Sequence, residues 1–190
     1  KAESKSYMNS VFLETGRLIL RRLTEADFSA LHGVLSKESV MYAWEHGFSE
    51  EESFDFLHRM MRRYETDGYA YFAAIEKGGG AFLGVIGLLA EKIAGEACIG
   101  VGYILDDRFW GKGYAAEGAQ ACLDYAFSVL HAPRIIADIR PENTASRRVA
   151  ARLGMQEEGV FDKFYYGKHM PHIIYAAYPP DSHDAKNMVF

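Results

Sequence analysis

The chain has 190 residues, 49% of them hydrophobic and 25% charged, with a formal charge of −5. That size and balance suit one globular domain burying roughly two thirds of its unfolded surface, and the acidic total argues against nucleic acid as a partner. No apolar run approaches the ~20 residues that cross a bilayer, and KAESKSYMNS lacks the apolar core of a secretory signal, so no membrane partner and a cytoplasmic location are expected.

Residues 17–23 (RLILRRL) alternate in polarity and predict a strand. Thr24, with Asp27 three positions on, reads as the N-cap of a helix through TEADFSALHGVLS. Ser49 followed by Glu50, Glu51 and Glu52 starts a second helix, because a capping hydroxyl and early acids satisfy its free N–H groups and dipole. This helix runs through FDFLHRMMRRYE and stops near Asp67 and Gly68. Three strands follow: YAYFAAIE, then FLGVIGLLA after the Gly78-Gly79-Gly80 turn, then EACIGVGYIL. A helix opens at Gly113 in GKGYAAEGAQACLDYAFSVL, RIIADIR is a strand, and ENTASRRVAARLG is a helix closed by Gly154. MQEEGVFDKFYY and PHIIYAAY are the last strands. Seven strands and four helices predict one α/β domain over residues 11–178, a mixed sheet with helices on both faces. Residues 1–10 read as an N-terminal extension and the polar, proline-led residues 179–190 as a tail. Cys98 and Cys122 lie in apolar stretches without metal-ligand spacing, so reduced core thiols and no metal are expected.

The chemistry concentrates in residues 103–118, YILDDRFWGKGYAAEG. A strand ends, a short loop carries Arg108, Gly111 and Gly113, and a helix starts. Backbone N–H groups at a helix N-terminus lack intrahelical partners and point outward at the positive end of the dipole. Glycines let that backbone approach a phosphate closely, and Arg108 and Lys112 add mobile positive charge. Between Arg108 and Arg152 seven basic residues face four acids, although the chain as a whole is acidic. Such a segment suits a polyanionic nucleotide ligand, the alternative being chance clustering on a solvated helix. Residues 111–116, GKGYAA, also satisfy the dinucleotide pattern G-x-G-x-x-G/A, with Asp138 placed to imitate its ribose-binding acid. Context rejects that reading. In a dinucleotide unit the first glycine follows the strand almost at once, whereas here DDRFW intervenes behind a hairpin meander.

Arg108-x-x-Gly111-x-Gly113 resembles the Q/R-x-x-G-x-G/A acetyl-CoA loop of the GNAT N-acetyltransferases. Asn143, Ser146, Leu153, Gly154, Met155, Glu158 and Gly159 resemble the N-x-x-S…L-G-F/M-x-x-E-G signature of its ribosomal-protein (Rim-type) branch, and ETGRLILRRLTEADF is similar to that branch's opening. The resemblance spans residues 13–178. It implies a GNAT fold, with a seven-stranded, mostly antiparallel sheet splayed at its centre and about four helices. It further implies acetyl-CoA as cosubstrate and acetyl transfer to a primary amine by direct attack in a ternary complex. Protein N-termini, polyamines and aminoglycosides are the candidate acceptors, with a monomer or homodimer as the working form. By the same resemblance Tyr103, Ile104 and Leu105 pair with the pantetheine arm. Arg108, Trp110, Gly111, Lys112, Gly113, Tyr114 and Ala115 hold the pyrophosphate. Asn143 contacts the pantetheine, and Ser146 hydrogen-bonds the cosubstrate or protonates the leaving thiolate. Each has a structural alternative: Asn143 a helix N-cap, Ser146 a surface hydroxyl, Trp110 loop packing, and the family's recurrent acid, Glu117, a structural hydrogen bond.

One position departs from the pattern. Members of this branch often carry a glutamate, serving as general base, two residues before the Gly-Tyr pair, and here that position is Gly100. Glu96 lies two same-face steps away along the strand. A water chain or His172 is left as the proton acceptor, with an acyl-CoA-binding sensor or scaffold of the same fold as the rival function. An α-amino group of pKa about 8 costs under roughly 1 kcal/mol to deprotonate near neutrality, a lysine about 4 kcal/mol, which favours the former where no carboxylate helps. The resemblance also implies an acceptor wall in SVMYAWEHGFSEEES, from Tyr42, Trp44, Glu45, His46, Phe48 and Glu50, Glu51 and Glu52, residues that equally suit packing and capping.

Overall fold

Leu18 and Leu20 are buried while their neighbours are half-exposed, as the alternating pattern of the first predicted strand requires. The computed structural model describes residues 11–93, 95–165 and 167–180; the predicted extension over 1–10 and all but the start of the 179–190 tail lie outside them. Among the described residues there are eight strands: β1 (Val11–Glu14), β2 (Leu18–Arg21), β3 (Tyr71–Glu76), β4 (Phe82–Ile93), β5 (Glu96–Leu105), β6 (Ile135–Ile139), β7 (Gln156–Tyr165) and β8 (Lys168–Ala177). The helices are α1 (Phe28–Leu35), α2 (Glu38–Met41), α3 (Glu50–Thr66), α4 (Tyr114–Ser128) and α5 (Thr144–Arg152). The expected counts of seven strands and about four helices are therefore each one short. β1 and α2 are the additions, four residues each, too short to show a period in sequence.

Local chemistry sets the helix starts. Ser49 Oγ accepts the Glu52 N–H at 3.1 Å while Glu52 accepts the Ser49 N–H at 2.8 Å, a reciprocal cap on α3. Thr24 N–H donates to Asp27 at 2.8 Å, and the chain turns once through a 3₁₀ segment, Glu25–Asp27, before α1.

The strand order is β1-β2-β3-β4-β5-β6-β8-β7. Every neighbouring pair is antiparallel except β5 and β6, which run parallel and pair only at Ile99 with Ile135 and Gly100 with Ile136. Beyond that point β5 stays with β4 and β6 stays with β8, so the sheet splits down its middle. Alternation assigns the two faces. Tyr71, Leu89, Glu91, Gly100, Gly102, Asp138, His172 and Lys163 share one face, over which α3 lies with Phe56 against Tyr71, ring centroids 5.9 Å apart. Leu18, Ile86, Val101, Tyr103 and Tyr175 share the other, covered by α4 and α5. α4 presses close: a Cβ on Gly118 would stand 2.5 Å from Ile86 Cδ1. Its buried Ala119, Cys122, Leu123 and Ala126 join one core with Phe72, Leu20 and Leu83.

Candidate active site

A cleft of about 1410 Å³ follows the split in the sheet. On the α4 side it is walled by the end of β5, the 110–115 loop and the start of α5. α4's first intrahelical bond runs from Glu117 N to Gly113 O at 3.0 Å, so the preceding N–H groups have no acceptor within the helix. Gly111 and Gly113 have φ of 74° and 82°, the left-handed region that glycine enters without strain. Arg148 and Arg152, one turn apart on α5, face the same space. Unpaired N–H groups, a helix dipole and two guanidiniums fit a pyrophosphate.

The loop is braced from behind. Arg17 Nη1 donates to Lys112 O at 2.9 Å, and Glu117 accepts from the Thr15 hydroxyl at 2.6 Å, the Arg17 N–H at 2.9 Å and Arg17 Nε at 2.6 Å. Burial works against ionising Glu117, but these donors outweigh it and hold the carboxyl below its ordinary value. At the end of β5, Arg108 forks onto Asp106 at 3.0 and 2.9 Å, and Lys37 Nζ reaches the same carboxylate at 2.9 Å. Arg108, then Lys37, overcome burial and hold Asp106 well below the carboxylate range. Trp110 Nε1 donates to Leu105 O at 2.8 Å. Asn143 Oδ1 caps α5 by accepting the Ser146 N–H at 3.0 Å, and the Tyr103 hydroxyl donates to Ser146 O at 3.2 Å.

The α3 face of the cleft is different. Gly100 and Gly102 give β5 a floor without side chains. Glu91 Oε2 lies 3.1 Å from where a Cβ on Gly100 would stand, and the Tyr71 hydroxyl occupies the same position over Gly102. Burial, then Glu91, pushes the Tyr71 phenol far up. Asp138 pairs with Lys163, and α3 contributes Glu52, Asp55, Arg59 and Arg63. His172 is buried, and its Nδ1 lies 2.9 Å from Met170 O, so this nitrogen carries the proton it donates to that carbonyl.

Residues 17–156 match the family model described as an acetyltransferase (GNAT) domain. The chain is a GNAT acetyltransferase. The uncharacterised N-acetyltransferase YnaD of Bacillus subtilis is 34% identical over 152 residues, 80% of this chain and 86% of YnaD. The [ribosomal protein uS5]-alanine N-acetyltransferase of Escherichia coli is 26% identical over 187 residues, 93% and 95% of the two chains. The crystal structure of a GNAT-family acetyltransferase from Bacillus anthracis superposes with a TM-score of 0.73 at 31% identity, covering 89% of this chain and 98% of that one. The GNAT membership makes the protein an acetyl-CoA-dependent N-acetyltransferase.

In this GNAT enzyme the cleft brings together Tyr103, Ile104, Leu105, Trp110, Gly111, Gly113, Tyr114, Ala115, Asn143 and Ser146, and leaves Arg108 and Lys112 off its wall. Arg108 is not the mobile cation expected: Asp106 holds its guanidinium while its side chain stays 70% exposed. Lys112 Nζ sits 5.4 Å above the Phe109 ring. Arg148 and Arg152 supply positive charge on the α4 and α5 side of the cleft instead. Their i,i+4 spacing behind the Asn143 cap was the available signal. Glu117 takes its structural reading. Glu96 pairs with Arg134 at 3.5 Å at the far end of β5. Of the residues expected to wall the acceptor, Tyr42, Trp44, Phe48 and Glu52 line the cleft; Glu45 instead binds Arg140 at 2.5 Å, and His46 binds Glu52 at 2.8 Å. Both cysteines are free, but only Cys122 is a core thiol, pushed up to about 12 by burial; Cys98 is half-buried beside Glu91. Glu91 also lines the cleft, one residue past the Ala90 end of the expected strand, because β4 continues to Ile93.

Proposed function

We propose that this enzyme moves the acetyl group from acetyl-CoA to a primary amine by direct attack in a ternary complex, with a protein N-terminus as the acceptor class. The observation that carries this reading is the slot between β5 and β6, which opens one cleft onto both faces of the sheet. Phosphate-suited N–H groups, Arg148 and Arg152 stand on the α4 and α5 side, with carboxylates, aromatic residues, Arg59 and Arg63 on the α3 side. Acetyl-CoA laid along Tyr103, Ile104 and Leu105 presents its thioester through the slot, and the amine meets it from the other face. Past Gly100 the edge of β5 away from β4 has no β6 partner, and its backbone groups, apart from Leu105 O, which accepts from Trp110, are available to the pantetheine amides and the thioester carbonyl. An acyl-cysteine route has little support. Cys122 is buried in the core, and Cys98 has its thiol raised by burial and then by Glu91, which keeps it protonated. The E. coli relative named for a ribosomal-protein alanine supports the N-terminal acceptor.

The test is thiol release from acetyl-CoA with peptides bearing free alanine or serine N-termini, polyamines and aminoglycosides, alongside thermal shift with acetyl-CoA and NAD. Turnover with the peptides is expected. A saturating ligand at ~100 times its Kd adds about 2.7 kcal/mol of stability. Stabilisation by acetyl-CoA without turnover on any amine favours the sensor reading that Gly100 suggests. No response to acetyl-CoA overturns the proposed function.

A further inference from the structure

The position on β5 that resembles the family's base is Gly100, yet the space above it is not empty of carboxylate. Glu91 pairs across the β4–β5 ladder with Cys98, which puts its side chain on the same face as Gly100. From there it leans over the glycine, with Oε2 3.1 Å and Cδ 3.2 Å from the absent Cβ. Gly100 and Ile136 form the last β5–β6 pair, so this carboxylate stands where the slot begins.

Among the described residues no hydrogen bond or ion pair engages the Glu91 carboxylate. Its cationic neighbours are committed elsewhere: Lys163 of β7 to Asp138, and Arg63 of α3 to Ala90 O at 3.1 Å. Tyr71 of β3, Cys98 of β5 and Asp138 of β6 complete the titratable surroundings. We propose that Glu91, reaching across from β4, is the catalytic residue that accepts the proton of the incoming amine in place of a residue-100 glutamate. The proposal rests on the acetyl-transfer reading above.

The surroundings suit the role. Burial, then the Asp138 charge, raises the Glu91 carboxyl above its ordinary value against opposing effects of Lys163 and Arg63, towards the range where a base works near neutrality. His172 is a poorer candidate by placement. It lies on β8 past the Ile173–Ile139 pair, at the opposite end of β6 from Ile136. In the step itself an ammonium acceptor gives one proton to Glu91, and the freed lone pair attacks the thioester carbonyl carbon. The C–N bond forms, the C–S bond breaks with its electron pair leaving on sulfur, and the second nitrogen proton ends on the CoA thiolate. Glu91 then releases its proton to solvent.

The experiment compares wild type, Glu91→Gln and the double variant E91A/G100E, using the amine from the panel above that turns over fastest. The pH dependence of kcat/KM and the acetyl-CoA thermal shift are both followed. Glu91→Gln is expected to lose about 10²-fold in kcat/KM near pH 7 with the acetyl-CoA shift intact. The deficit should narrow as pH rises past the amine's pKa of about 8, where the acceptor arrives already neutral. E91A/G100E, which returns the carboxylate to β5, should regain part of the loss; if it fails to fold, the Glu91→Gln profile alone decides. A loss that stays constant with pH, or no loss, overturns the assignment and leaves the acetyl-transfer reading standing. A wild type inactive on every amine overturns both.

Discussion

Replacing Glu117 by alanine removes the acceptor that ties the β1–β2 connection to the first turn of α4. Three donors lose this acceptor: the Thr15 hydroxyl, Arg17 Nε, and the Arg17 N–H, which keeps only a 3.3 Å contact to Thr15 Oγ1. A hydrogen bond to a charged group contributes about 1.5–3 kcal/mol net when shielded, but the Arg17 side chain is 46% exposed and its ion pair counts for under ~1 kcal/mol. Water will satisfy part of what is lost, so the expected cost is about 2–3 kcal/mol. For a chain of this length that is a drop of roughly 5–10 °C in Tm, read by calorimetry. Because Arg17 also holds Lys112 O, the 111–113 loop loosens and the KM for acetyl-CoA rises. The sign with pH follows from linkage. Glu117 is depressed in the folded state, so its contribution is full above the unfolded value of about 4.3 and is lost as pH falls through the depressed one. The gap between wild type and variant should therefore close as pH falls below that unfolded value. A Tm within 1 °C of wild type at neutral pH, or a gap that does not change with acid, would refute this account.

Gly113→Ala puts a Cβ into the left-handed region, 3.4 Å from Arg17 Nη2, and is expected to cost about 1–2 kcal/mol by urea unfolding with a raised acetyl-CoA KM. Arg148→Ala combined with Arg152→Ala should lower kcat/KM for acetyl-CoA about tenfold or more while sparing acetyl-pantetheine, which lacks the pyrophosphate; equal loss on both would contradict the phosphate role. Asp27→Asn weakens the fork from Arg21, at 2.7 and 2.8 Å, and is expected to cost about 2–3 kcal/mol near neutral pH. Burial opposes ionisation of Asp27, but Arg21 and Thr24 depress it, so this contribution too is present above the unfolded value of about 3.9 and falls away in acid.

The parts of the fold legible in sequence are those with local causes. Ser49 and Glu52 announce their own cap, Gly113 and Gly154 bracket helices by their φ, and residues 17–23 alternate over enough positions to fix a face. What stayed hidden depends on partners distant in sequence. β1 is a strand because Leu13 finds Leu20, not because VFLE has a period. Arg108 reads as a free cation until Asp106 and Lys37, the latter from the α1–α2 connection, are brought beside it. Glu91 sits where the sequence looks like the end of a strand. Its meaning depends on a register that sets it across from Cys98 and diagonal to Gly100.

That register gives the glycines of β5 a joint explanation. Gly100 and Gly102 alternate onto the α3 face, and each is overhung by a long polar side chain from a strand further out, Glu91 from β4 and Tyr71 from β3. A side chain on β5 at either place would displace the group that overhangs it. A Cβ at 102 overlaps the Tyr71 hydroxyl, which is fixed in the core beside Phe56, whereas a Cβ at 100 crowds the end of the flexible Glu91 and makes an ordinary contact with Ile136 O. The two positions therefore differ in what they tolerate: 102 is closed by packing, while 100 exchanges one side chain for another. A carboxylate can reach the head of the slot from β5 or from β4, and a side chain at 100 crowds the one from β4. Glycine at 100 is then the counterpart of glutamate at 91, and the missing residue and the unpaired carboxylate are one feature of the site.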